Sequence, residues 1–196
     1  MRKRSRTVAL VIVGAAAFGL TGCKEEQTDA RAFPDVTSCK AAAAQGSLFF
    51  TEADCDSAFA EAQAAHLETA PRYESKELCE AEHGEGNCGG DPAASTGGGM
   101  GSIFLPLFAG YMLGSMLGGN RGVMSQPLSR TADGRFATPG GTTLATNNGA
   151  GKMGANAFAK APATVGKPPM TKAQVAQRGG FGAAATGRSP GATAGG

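Results

Sequence analysis

The chain has 196 residues, 31 of them glycine and none tryptophan, with 18 basic and 16 acidic side chains. Aromatic residues are only 6% of it, which excludes one large hydrophobic core running the length of the chain. From residue 120 onward the basic residues are spread singly rather than clustered, and no nucleic-acid partner is expected.

The near-neutral total hides unlike segments. Residues 1–22 hold four basic residues and no acid; residues 24–96 hold five basic and fifteen acidic residues. Residues 97–119 carry no charge, and residues 120–196 hold nine basic residues against Asp133 alone. Opposite-sign halves joined by a neutral apolar segment predict self-association or two different partners.

The chain starts Met1-Arg2-Lys3-Arg4-Ser5-Arg6, followed by an apolar run from Val8 to Leu20. Thirteen apolar residues match a signal-peptide core and fall short of the roughly 20 that span a bilayer. Leu20-Thr21-Gly22-Cys23 then resembles the bacterial lipobox. That resemblance implies removal of residues 1–22 and acylation of Cys23, for example with palmitate, so that the amino terminus is held to a membrane by lipid. Lys24 stands where an aspartate would imply retention in the inner membrane. The expected location is the outer membrane facing the periplasm, with an inner-membrane lipoprotein as the alternative.

Residues 23–96 read as an acidic, disulfide-bonded helical domain. Beyond Cys23 the cysteines are Cys39, Cys55, Cys79 and Cys88, an even set that reads as two disulfides in an oxidising compartment. Thr37 or Ser38 can cap a short helix over residues 39–45 that stops at Gly46; Ser75 can cap another over Lys76 to His83 that stops at Gly84. Each unit has a cysteine in the helix and a second after the glycine stop. This weak duplication favours Cys39 with Cys55 and Cys79 with Cys88 among the three pairings that four cysteines allow. Between them Thr51, with Asp54 three residues on, opens a helix from Glu52 to Ala70 that Pro71 closes. Its apolar face, Cys55, Ala58, Phe59, Ala62 and His66, is rich in small residues, so disulfides must supply part of the stability.

Zinc is the competing use of Cys79, His83, Cys88 and His66, but no Cys-x-x-Cys pair exists. The expectation is therefore no metal and no cofactor, with His66 at the edge of the core and His83 solvated at a helix end. Glu74, Glu77, Glu80, Glu82 and Glu85 read as a solvated face. No catalytic constellation or phosphate-binding loop is present in the sequence, and the chain is not expected to be an enzyme.

In residues 97–119, Gly110, Gly114 and Gly118 recur every four residues. On a helix that spacing makes a flat face for close helix association, a glycine zipper that enters or lies on a membrane and forms a homo-oligomer. Residues 120–196, with Phe136, Phe158 and Phe181 as their only phenylalanines, are expected to form a disordered basic tail. Such an arm suits an anionic envelope polymer. The fold class expected is thus mainly α: a small disulfide-stabilised helical domain, a glycine-zipper apolar helix and a disordered tail. The expected role is structural or interactive, with a binding module for a polyamine or anionic polymer as the alternative.

Four stretches carry a resemblance: Glu-Thr-Ala-Pro-Arg-Tyr at 68–73, Cys-Glu-Ala-Glu-His-Gly-Glu-Gly-Asn-Cys at 79–88, Leu-Pro-Leu-Phe-Ala-Gly-Tyr-Met-Leu-Gly at 105–114 and Arg-Gly-Gly-Phe-Gly at 178–182. Through them the chain resembles the YgiB-like family of proteobacterial proteins. The loop after Cys39 is longer here, and the tail between the motifs matches poorly. The resemblance implies a lipoprotein-like envelope protein without an assigned activity.

Overall fold

The computed structural model describes residues 27–46, 49–92, 102–115, 122–145 and 149–178. Cys23, the signal peptide before it, Gly118 and Phe181 lie outside the described residues. Strand β1 (Gln27–Phe33) leads into helices α1 (Val36–Ala44), α2 (Glu52–Thr69) and α3 (Lys76–His83). Strands β2 (Cys88–Gly90), β3 (Phe104–Pro106), β4 (Gly110–Ser115), β5 (Val123–Arg130), β6 (Phe136–Ala137) and β7 (Gly149–Gly154) follow. A 3₁₀ turn (Ala155–Phe158) and helix α4 (Lys172–Gln177) complete the described chain.

Three helices form close to where the sequence places them. Thr51 and Asp54 make a reciprocal capping box at α2, with the Asp54 carboxylate accepting from the Thr51 amide at 2.8 Å. Ser75 caps α3, which stops at Gly84 with φ +87°. Helix α1 starts earlier than expected because Asp35 is the cap, accepting from the Ser38 amide at 2.7 Å. The disulfides join Cys39 to Cys55 and Cys79 to Cys88. The first pins α1 to α2, the second ties α3 to β2.

The architecture is not mainly α. A five-stranded antiparallel sheet, ordered β6-β5-β4-β1-β7, lies at its centre, with β2 and β3 as a separate ribbon. Residues expected as a zipper helix are β3 and β4; residues expected as a disordered tail supply β5, β6, β7 and α4. Strand β4 is paired on both sides, Tyr111 opposite Phe33 of β1 and Pro127 of β5. Pro127 is tolerated inside this sheet because Leu128 turns its backbone to β4, accepting from the Ala109 amide at 2.8 Å, while β6 pairs only with Ser129 and Arg130. The missing N–H of Pro127 thus points past the end of β6.

Both faces of the sheet are covered. On one, Phe33, Tyr111 and Leu113 pack on Cys39, Ala42, Cys55, Ala58 and Ala62 of the helices. On the other, Ala30, Ala32, Met112 and Leu128 pack on Leu144, Ala157 and Phe158 from the returning chain. Small residues on α1 and α2 let the helices approach the sheet, where Ser125 donates to the Ala58 carbonyl at 2.7 Å. Gly114 makes room on the second face for the Phe158 ring, and Gly110 and Gly114, four residues apart, share one side of a strand as they would share one side of a helix. The zipper expected from Gly110 and Gly114 therefore loses its basis, because both lie inside a central strand.

The opposite charges of the two halves meet within the chain. Lys160 pairs with Glu68 at 3.3 Å, an exposed contact of small energetic weight. Backbone bonds carry more of the closure: the Thr164 amide donates to the Glu68 carbonyl at 2.9 Å and the Met170 amide to the Arg72 carbonyl at 2.7 Å. Val175 of α4 then packs on Tyr73, Cys79 and Cys88 in a third buried cluster. Among the described residues no helix is long and apolar enough to cross a membrane.

Candidate functional site

The polar residues with the most unusual surroundings converge where α3 meets the end of β5 and the returning C-terminal segment. Ser75 sets the phase of α3, and a helix brings positions three and four apart to one side. Cys79, Glu82 and His83 consequently face inward, while Glu77 and Glu85 stay exposed. The glutamate-rich stretch is thus not one solvated face: Glu82 is 1% exposed, and His83, expected in solvent, is 5% exposed.

Tyr73 links them. It is fully buried, fixed by backbone bonds to Phe104 at 2.8 and 3.0 Å, and its hydroxyl stands 2.5 Å from Glu82 Oε2 and 2.9 Å from His83 Nε2. His83 Nδ1 lies 2.7 Å from the Arg130 carbonyl. A carbonyl only accepts, so Nδ1 carries hydrogen and donates. The Tyr73 hydroxyl has one hydrogen for two neighbours. It donates to Glu82 Oε2, and its oxygen faces His83 Nε2. Burial holds His83 below its ordinary value, opposed by the Arg130 carbonyl and by Glu82, and raises Tyr73 far above its own. Both effects favour uncharged rings.

The second oxygen of Glu82, Oε1, has no hydrogen-bond partner among the described residues. Glu82 is among the residues that line a cavity of about 30 Å³, with His83, Ser129, Thr131, Thr138 and Arg178. Next to it a larger groove of about 280 Å³ runs between the α2–α3 connection and the C-terminal segment, lined by Thr164, Lys167, Met170 and several prolines. Pro71, Pro139 and Arg178 border both spaces.

Arg72 forms the floor of the groove. Its Nε donates to Asp91 at 2.6 Å, Nη2 to the Leu67 carbonyl at 2.8 Å, and Nη1 to the Thr164 hydroxyl; both side chains of the ion pair are 4% exposed. Lys167 and Arg178 are exposed at the groove, and among the described residues no acidic side chain lines it. Arg178 Nη1 is 2.8 Å from the Met170 sulfur.

The other sequence-predicted residues fall elsewhere. Cys79 and Cys88 are bonded to each other, so neither thiolate is free for zinc. His66 is within the core rather than at its edge, 3% exposed, with Nε2 donating to the Pro106 carbonyl at 2.9 Å. Among the described residues no group of three or more His, Cys, Asp or Glu is placed to hold a metal ion. The signal for the site was the i, i+3, i+4 set Cys79, Glu82 and His83: a disulfide cysteine must face inward, and it carries its helical neighbours with it.

The model of the family described as "Protein of unknown function (DUF1190)" matches residues 18–191. The chain belongs to this family. No solved structure matches this DUF1190 chain. The match takes in every described residue, so the sheet and the groove alike are parts of the family's own sequence.

Proposed function

We propose that this DUF1190 chain is a lipid-anchored envelope protein, of the YgiB-like kind, whose folded part binds an anionic group of an envelope ligand. The observation that carries the binding role is the groove beside Arg72: Lys167 and Arg178 stand at it and, among the described residues, no carboxylate lines it. A concave surface with charge of one sign concentrates oppositely charged ligands and holds them in a salt-dependent way. Of the two ligand classes that the sequence suggests, an anionic polymer suits this lining and a polyamine does not. The lipobox ending at Cys23 and the residue Lys24 support an anchor in the outer membrane facing the periplasm.

The test uses the mature chain extracted from membranes in mild detergent. Its intact mass should begin at Cys23 with acyl mass added; a chain beginning at Met1 without acyl groups would overturn the anchor. Calorimetric titration with a ten-residue polyglutamate should give binding that weakens as salt rises and drops about tenfold or more in Lys167→Glu with Arg178→Glu. Equal affinity in the double variant would remove the groove from the account.

A further inference from the structure

An acylated Cys23 holds the folded body close to the bilayer. Only residues 24–26 separate Cys23 from β1, which starts at Gln27. Even fully extended, four residue steps reach about 14 Å. The family match begins at residue 18, so this short spacing lies within the family's own sequence. The body therefore meets the membrane near the start of β1, and the strand register tells what lies at each end of the sheet. Ala30 is opposite Gly114 and Gly114 opposite Met124, so Gln27 of β1, Ser115 of β4, Val123 of β5 and Gly154 of β7 share one end. Gln27 lies three residues before that level and Arg130 of β5 six beyond it, which puts them about 30 Å apart along the strands.

The groove belongs to the far end. Its border residues Pro71, Pro139 and Arg178 also line the small cavity with His83 and Ser129, and His83 donates to the Arg130 carbonyl at 2.7 Å. Two further observations restrict how the body can lean. The sheet order places β5 and β6 on the edge away from β7, so tilting onto β7 keeps the groove away from the bilayer as well. The helices expose Glu52, Glu61 and Glu77, so laying that face on an anionic bilayer is opposed by charge.

We infer that the chain sits on its anchoring membrane with the Gln27 end of the sheet down and the Arg72 groove facing the aqueous space. The acid that the groove takes then belongs to a polymer on that side, not to a headgroup of the anchoring bilayer. This rests on the lipid anchor at Cys23 and on the groove's binding role, and adds their relative placement. Screening makes the separation matter. At physiological ionic strength a charge is felt over about 8 Å, so headgroups about 20–30 Å from the groove neither fill it nor compete for it.

The test uses the mature, lipidated chain bound to vesicles in which a fraction of the lipid headgroups carries dansyl. The sequence has no tryptophan, so one placed at an exposed position is the only indole donor. Energy transfer to the headgroups should be strong from Gln27→Trp and weak from Val165→Trp, whose neighbour Thr164 lines the groove. Lys152→Trp, opposite Asp29 near the same end of β1, repeats the first measurement should Gln27→Trp not fold. Transfer from Val165→Trp as strong as from the other two would overturn the placement. Polyglutamate affinity of the unaltered chain should agree within about twofold between zwitterionic and anionic vesicles, and a loss of about tenfold on the anionic ones would mean that headgroups reach the groove. A chain that does not float with the vesicles would remove the anchor and this inference with it. A chain that floats but takes no polyglutamate would remove the groove's role and the ligand half of the inference, while the tryptophan series still decides which end is down.

Discussion

A side chain at Gly114 and the ring of Phe158 claim the same space: a Cβ on Gly114 would stand 2.3 Å from Phe158 Cζ. Gly114 belongs to the central strand and Phe158 to the 3₁₀ turn after β7, so the contact joins the middle of the sheet to the segment that closes over it. The turn is held there by Gln126, whose amide donates to the Phe158 carbonyl at 2.9 Å.

Gly114→Ala should destabilise the protein by about 1–3 kcal/mol, the ordinary cost of forcing an extra group into a packed site. Phe158→Ala should relieve most of it, so the double variant costs less than the sum of the single ones. Gly110→Ala behaves differently. Its Cβ would meet the Phe33 carbonyl oxygen at 2.4 Å, a backbone atom that cannot rotate away, and its φ is +148°, so Phe158→Ala should give no rescue. Thermal unfolding followed by far-ultraviolet circular dichroism of these variants checks both; strictly additive costs at Gly114 and Phe158 would contradict the contact.

This pair also shows why the sheet was hidden in the sequence. A glycine every four residues fits a helix face and a strand face equally, since four is close to one helical turn and is two strand repeats. The helices and disulfides were legible because caps, glycine stops and paired cysteines are local signals. The strands after Ser115 were not: they are rich in small or polar residues and gain their place from backbone pairing and from a few distant partners such as Phe136 and Leu144. Composition alone therefore read as disorder. For the site, Glu82 and His83 looked like members of an acidic solvated face, and only the inward direction of Cys79 could have separated them from Glu77 and Glu85.

The two disulfides close loops of 16 and 9 residues. Chain-entropy arguments give each about 3 kcal/mol, the longer loop slightly more. Replacing either pair by serine should lower the midpoint of urea unfolding, and reducing both should leave the chain largely unfolded at 37 °C. A reduced protein with an unchanged midpoint would show that the cores of small residues hold alone.

Arg72 connects α2, the Asp91 loop and Thr164 at one buried point. Arg72→Leu removes one partner of a buried ion pair and should cost about 3–5 kcal/mol. Its distinctive effect is local: amide exchange should rise first in residues 161–170, whose backbone is tied to Glu68 and Arg72, before β1 and β4 are affected. Uniform loss of protection across the sheet would mean that Arg72 serves global stability alone.

The buried histidines set the direction of the pH dependence. His66 donates from Nε2 to the Pro106 carbonyl while Nδ1 is buried with no partner among the described residues, so a second proton would find no acceptor there. Burial holds His66 and His83 below their ordinary value of 6.5; carbonyls of Pro106 and Arg130 oppose it only in part. The unfolded chain therefore takes up protons near pH 6.5 that the folded chain takes up only at lower pH. Below 6.5 the unfolded state binds more protons, so stability is full above that value and falls as the pH drops through it. Exposed Glu77 and Asp133 are held below their ordinary carboxylate values by local hydrogen bonds and titrate under this window. Urea midpoints measured from pH 7.5 to pH 5 should therefore decline, and His66→Gln, which keeps a donor for Pro106 but cannot titrate, should flatten the decline. A midpoint that rises on acidification would require the folded state to bind the extra protons, with both rings already charged in the core.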